Sequence, residues 1–140
     1  MAGSIRLEIV TPEKTVVSED VQIVMAPGVL GEFGVLIGHT PFLTALKTGA
    51  VRYTDSQGGD HMVFVSGGFA EALPQKVTIL AESAERRRDI DVERARAALE
   101  RAQKRLAEQR SKEELDFVRA QAALQRALMR LRIVENRLAH

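Results

Sequence analysis

From Met25 the chain reads Met-Ala-Pro-Gly-Val-Leu-Gly-Glu-Phe-Gly-Val-Leu-Ile-Gly-His-Thr-Pro-Phe-Leu-Thr-Ala-Leu-Lys-Thr-Gly, ending at Gly49. Gly28, Gly31, Gly34 and Gly38 recur every three or four residues. Glycine at that density destabilises a helix and lets the backbone turn or approach another strand closely. Phe33, Val35, Leu36, Phe42, Leu43 and Leu46 lie between the glycines and supply enough apolar area to pin the turns onto a core. The stretch is therefore neither a helix nor a loose loop. A glycine-rich corner of a β-protein accounts for most of it. Glu32 and His39 are the exceptions, polar side chains on turns of an apolar segment, where a rigid scaffold displays contact residues.

The flanking sequence supports a β-protein. Ile5, Leu7 and Ile9 alternate with Arg6 and Glu8, the period of a half-buried strand, and Thr11-Pro12 ends it. Val16-Val17 and Val21 to Ala26 read as further strands separated by a turn at Ser18-Glu19-Asp20. Ala50 to Thr54 and His61 to Ser66 flank Asp55-Ser56-Gln57-Gly58-Gly59-Asp60, which has the composition of a hairpin loop. Gly67-Gly68 reads as a break, Phe69 to Leu73 as the next strand, Pro74-Gln75 as a turn and Lys76 to Ala81 as the closing strand. Short strands at this spacing, with no helical period among them, predict an antiparallel sandwich or barrel.

At Arg86-Arg87-Arg88-Asp89 the period changes to about three and a half. Val92, Ala95, Leu99, Ala102 and Leu106 form an apolar seam on one helix, with Asp89 or Asp91 placed to cap its start. Ser111 with Glu114 fits a capping box, so a second helix begins there, and Phe117, Ala120, Leu124, Ala127, Leu131, Val134 and Leu138 repeat the seam. A short connection makes the helices antiparallel, and the alanines permit close approach. The expected fold class is α+β: an N-terminal antiparallel β-sandwich, residues 1–84, followed by a C-terminal antiparallel two-helix hairpin, residues 85–140.

Charge separates the same two parts. Residues 1–84 hold five Lys/Arg against nine Asp/Glu, and residues 85–140 hold fifteen against ten. The basic part suits an acidic partner, whether nucleic acid, phosphate or an acidic protein surface, and it also suits the chain's own acidic part. There is no cysteine, so no disulfide or thiolate metal site is expected, and no run is long and apolar enough for a membrane span. Met1-Ala2-Gly3-Ser4 leads into a strand pattern without the basic start and apolar run of a secretory signal.

Arginines repeat along both helices. Arg119, Arg126, Arg130 and Arg137 fall almost on one line of the second helix, and Arg94, Arg101 and Arg105 on one line of the first. A solvated flank accounts for any one of them. The second line, however, has only Asp116 and Glu135 as acids within residues 116–140. Guanidinium groups stacked in this way suit a polyphosphate or a row of carboxylates, because each fork donates two parallel hydrogen bonds. Catalysis is not expected. No phosphate-binding glycine-lysine-serine loop is present, His39, His61 and His140 are scattered rather than paired at metal-ligand spacing, and there is no thiol nucleophile.

Pro27-Gly28, Gly31-Glu32-Phe33-Gly34-Val35-Leu36 and Gly38-His39-Thr40-Pro41 closely resemble the signature of the epsilon-subunit family of bacterial F-type ATP synthase, with Ile37 where that family usually carries proline. Val65-Ser66-Gly67-Gly68-Phe69-Ala70-Glu71, Val77-Thr78-Ile79-Leu80-Ala81 and Ala84-Glu85-Arg86 extend the resemblance. It implies a non-catalytic rotor subunit of the proton-translocating enzyme, peripheral on the cytoplasmic face of the bacterial plasma membrane and reaching the membrane only through the complex. The sandwich would bind gamma and the c-ring, with Glu32 and His39 as the ring-facing contacts.

Ile90-Asp91-Val92-Glu93-Arg94-Ala95 resembles the motif with which some members of that family bind ATP. The resemblance implies Glu85, Asp91, Arg94, Ala95, Arg126 and Arg130 as nucleotide-binding residues, with ATP as a regulatory ligand and no cofactor required. It also implies an inhibitory, extended state, with the alpha and beta subunits as partners, in which Arg119, Arg126, Arg130 and Arg137 meet acidic segments of the beta subunits beside gamma. The alternative is an arginine-rich hairpin that binds nucleic acid or polyphosphate. The acidic sandwich and an aromatic content of 4% weigh against nucleic acid.

Overall fold

The computed structural model describes residues 3–108 and 114–135. Seven strands come first: β1 (Ile5–Val10), β2 (Thr15–Gly28), β3 (Gly31–Leu36), β4 (Phe42–Asp55), β5 (Asp60–Leu73), β6 (Lys76–Ala81) and β7 (Ala84–Arg86). A 3₁₀ turn, Arg87–Asp89, leads into α1 (Val92–Ala107), and α2 (Glu114–Glu135) follows. The strand order is β1-β6-β5-β4-β2-β3. A further pairing of β1 with β2 closes the path, and β7 is added beside β5. The result is the expected sandwich or barrel followed by two helices.

The alternation read in β1 sets its two faces. Ile5, Leu7 and Ile9 are fully buried while Arg6 and Glu8 reach the surface. Val77 and Ile79 do the same on β6, and with Val24, Val51, Tyr53 and Val65 they make one continuous core. One pairing departs from the antiparallel expectation. β1 runs parallel to β6, Leu7 opposite Val77 and Ile9 opposite Ile79. The register still puts both apolar sets on the same side, so the core is served as well as by an antiparallel pair.

Two predicted interruptions are absent. Ser18-Glu19-Asp20 is not a turn but the middle of β2, paired with Glu8, Leu7 and Arg6 of β1. Arg6 holds two of those polar residues, donating to Ser18 Oγ at 2.8 Å and to Asp20 Oδ1 at 3.4 Å. Gly67-Gly68 does not end a strand but bends β5, which continues to Leu73. Gly68 has φ +119°, and a Cβ there would overlap the Leu80 carbonyl oxygen, so the bend requires glycine.

The hairpin helices meet through small residues. Ala95 and Ala102 of α1 and Ala120 and Ala127 of α2 are buried between them, as the seams predict. Asp91, not Asp89, caps α1, its carboxylate accepting the Arg94 N–H at 3.0 Å. Ser111 and Leu138 lie outside the described residues. Phe117, expected on the seam, is 46% exposed.

A second apolar face of α2 carries Ile133, with Met129 and Val134 beside it, against Met62 and Phe64 of β5 and Ile90. Arg87 donates to the Val134 carbonyl at 3.0 Å, satisfying an acceptor of the last turn of α2. It is thus α2 that docks the hairpin on the sheet, whereas α1 packs chiefly on α2.

Candidate functional site

The β1–β2 turn, β7, α1 and α2 enclose a cavity of about 470 Å³. Each element supplies it for a local reason. β7 pairs with β5, Glu85 opposite Phe64, which fixes Glu85 and Arg86 at the base of the hairpin. The capped start of α1 places Asp91, Arg94 and Ala95 on the wall, and one turn further on Ala98 and Arg101. Ala123, Arg126 and Arg130 of α2 form the facing wall, and Lys14 and Val16 close it from the sandwich.

The cavity is held by specific contacts. The Arg130 guanidinium donates from Nε to both oxygens of Glu85, at 3.1 and 3.3 Å, and lies 4.3 Å from the centroid of the Phe64 ring. Phe64 is fully buried, so this cation–π contact is shielded from water on one side. Arg86 donates from Nε to the Val16 carbonyl and from Nη1 to the Tyr53 hydroxyl, both at 3.1 Å. Burial, with the Glu19 carboxylate nearby, pushes the Tyr53 phenol up to about 12. That phenol stays neutral at physiological pH and serves as an acceptor for Arg86.

Arg86, Arg94, Arg101, Arg126, Arg130 and Lys14 face Glu85, Asp89 and Asp91 across this volume, an excess of positive charge over a floor of small apolar residues. Such a lining favours an anion carrying several acceptor oxygens and a flat, weakly polar part. It offers no nucleophile. Among the described residues no group of His, Asp and Glu is placed to hold a metal ion.

Glu85, Asp91, Arg94, Ala95, Arg126 and Arg130, singled out in the sequence, therefore all line one cavity. Lys14 and Arg86 line it too and were not among them. Lys14 gave no local signal, because its approach to the helices depends on long-range packing. The arginine line of α2 is divided. Arg126 and Arg130 face the cavity, Arg119 is exposed, and Arg137 lies outside the described residues. In this docked arrangement the line cannot present itself whole to an external strand or an acidic surface.

Glu32 and His39 are not brought together. Glu32 does not sit on the expected turn but in β3, opposite Pro27 of β2, and it pairs with Arg52 of β4 at 2.7 Å. His39 lies beyond the other end of β3, its Nδ1 2.6 Å from the Thr40 carbonyl and its ring tilted against Phe42. Between β2 and β3, Val29 and Leu30 project, Leu30 being 97% exposed. A second apolar surface was not read from the sequence. Phe69 pairs with Leu80 across β5 and β6, and Leu43 of β4 shares their outward face. All three are more than half exposed.

Residues 4–87 match the family described as ATP synthase, Delta/Epsilon chain, beta-sandwich domain, and residues 88–135 that described as ATP synthase, Delta/Epsilon chain, long alpha-helix domain. An ATP synthase epsilon chain from Desulfosudis oleivorans is 67% identical over 106 residues, 76% of this chain and 80% of the relative. Another, from Nitratidesulfovibrio vulgaris, is 59% identical over 112 residues, 80% of this chain and 83% of the relative. Among solved structures, a chain of the Euglena gracilis mitochondrial ATP synthase, in an OSCP/F1/c-ring assembly, superimposes with a TM-score of 0.75 at 27% identity. That match covers 87% of this chain and 76% of the other.

Proposed function

The chain belongs to the ATP synthase delta/epsilon chain family, and from that membership we propose that it is a non-catalytic central-stalk subunit coupling proton flow to ATP synthesis. The sandwich grips the gamma shaft with the exposed Leu43, Phe69 and Leu80 face, which is apolar enough to need a partner. The Val29-Leu30 tip, with Glu32 beside it and His39 beyond β3, meets the c-ring. No described helix is long and apolar enough to cross a membrane. In this reading the subunit is held at the cytoplasmic face of the plasma membrane through its complex.

The hairpin is the regulatory part. With ATP in the cavity it stays docked on the sandwich. Without ATP it swings out among the alpha and beta subunits and offers Arg119, Arg126, Arg130 and Arg137 to acidic segments of beta beside gamma, restraining wasteful hydrolysis. ATP at one hundred times its dissociation constant stabilises the docked state by roughly 2.7 kcal/mol, enough to reverse a modest preference.

The observation that supports ATP as the ligand is the convergence of Glu85, Asp91, Arg94, Ala95, Arg126 and Arg130, drawn from three elements, on one positively charged cavity. Calorimetry of the full chain with ATP tests it. Binding heat in the wild type that disappears in Arg126→Ala is the expected result. Equal heat in both removes Arg126 from the site, and no heat in the wild type removes the nucleotide from the account and leaves the hairpin as a protein-contact arm.

A further inference from the structure

A ligand moves the hairpin only through contacts that it makes in the docked state and loses in the other. Arg94 and Arg101 on α1 and Arg126 on α2 belong to the hairpin itself. As long as α1 and α2 stay paired, a phosphate chain held by these alone travels with the hairpin and does not bias its position. For a hairpin that swings as a unit the bias comes from the sheet side, which offers Glu85, Arg86 and Lys14 to the cavity.

Two of these are already engaged. Glu85 is an anion bound to Arg130, and Arg86 is bound to the Val16 carbonyl and the Tyr53 hydroxyl. Lys14 differs. Among the described residues its ammonium has no carboxylate within 4.0 Å. Its backbone is nevertheless fixed. The Lys14 carbonyl accepts the Thr11 N–H at 2.9 Å, and the Lys14 N–H donates to Thr11 Oγ1 at 3.2 Å. A cation without a carboxylate partner among the described residues is thus presented to the cavity by a tied turn of the sandwich, opposite the arginines of the helices.

We propose that Lys14 is the sandwich's own contact to the phosphates of the ligand, and the contact that makes ligand binding favour the docked hairpin. The proposal rests on the nucleotide reading of the cavity. An ammonium supplies three rotatable donors on a flexible stem, so it can follow a phosphate chain whose other oxygens are fixed by the guanidinium forks. Its partner is any triphosphate oxygen, with no demand on the base.

The test uses the full chain as wild type, Lys14→Ala, Lys14→Arg and Arg126→Ala, with ATP and inorganic tripolyphosphate as probes. Affinity is read by calorimetry. Docking is read from the distance between spin labels at Gln57→Cys and Gln103→Cys, which are clean sites because the natural chain has no cysteine. Lys14→Ala should weaken both probes about tenfold, the effect of losing one charge-assisted contact, and ATP should no longer narrow the distance distribution. Lys14→Arg should restore most of both, with thermal unfolding unchanged throughout. Wild-type affinity or undiminished docking in Lys14→Ala, beside loss of binding in Arg126→Ala, overturns the role of Lys14 and leaves the nucleotide site standing. No binding of either probe to the wild type overturns both.

Discussion

Replacing Arg130 with alanine removes the ion pair to Glu85 and the stacked contact with Phe64 in one step. The pair is a charge-assisted hydrogen bond between side chains that are 23% and 31% exposed, so solvent screens it only partly. Such a bond is worth about 1.5 kcal/mol, and a half-buried cation–π contact about 1 kcal/mol. Glu85 recovers some hydration when the guanidinium leaves, which brings the net loss to about 2 kcal/mol. At 1.4 kcal/mol per factor of ten, the ratio of docked to released hairpin should fall about 30-fold.

The sandwich does not depend on that pair. Its core of Ile5, Leu7, Val24, Val51 and Ile79 is untouched. Native-state hydrogen exchange should therefore show α2 amides near Ala127 and Leu131 exchanging about 30-fold faster while β4 and β5 keep their protection. Combining Arg130→Ala with Glu85→Ala should give a coupling of about 1 kcal/mol. Equal loss of protection in helix and sheet would refute the latch, and so would no change in α2.

Gly68→Ala, which must place a Cβ into the Leu80 carbonyl at a positive φ, should cost about 3 kcal/mol or more in urea unfolding. Gly58→Ala, also at positive φ but with open space around it, should cost only about 1 kcal/mol. Asp55 accepts from His61 Nε2 at 2.7 Å and from the Gly59 N–H at 2.8 Å, and these, His61 first, hold its carboxyl below the usual 3.8. A carboxyl depressed by folding contributes stability above its unfolded value and loses it as pH falls through the folded one. Asp55→Asn should accordingly flatten the acid limb of a stability profile below about pH 4 and change its slope little near neutrality.

The sequence carried what depends on neighbours along the chain and missed what depends on distant partners. Alternation in β1, a carboxylate cap at the start of α1 and the alanine seams are local, and each was readable, although the choice between Asp89 and Asp91 was not. Ser18-Glu19-Asp20 looked like a turn because its polarity is that of turns, yet β1 lies beside it and Arg6 bonds two of the three side chains. The Gly67-Gly68 pair signalled a departure from regular backbone correctly, but composition does not distinguish a bend from an end. The sheet-facing side of α2 was hidden because one helix packs on two surfaces. Ile133 lies off the seam that faces α1, and only the position of Phe64 explains its burial. The cavity was readable from the helix side. Lys14 and Arg86 come from the sheet side, where pairing alone brings them near.

In the regulation proposed above, the docked hairpin and the reaching hairpin use the same side chains, which would make the element a switch. Arg126 and Arg130 face the cavity when α2 lies on β4 and β5, so they are unavailable to an acidic partner until α2 leaves. Leaving breaks the Arg130–Glu85 pair, the Arg87 bond to Val134 and the contact of Ile133 with Phe64 together, because all three sit on the C-terminal half of one rigid helix. The cost is therefore concentrated rather than graded, which favours two states over a continuum. The seam to α1 does not add to that cost if the hairpin swings as a unit. If the helices also separate, the buried residues lost are mostly alanines, each with little apolar area to expose. The docking is held by one ion pair with its cation–π contact, one carbonyl bond and the small apolar cluster around Ile133, a set of contacts few enough for a bound polyphosphate to shift the balance.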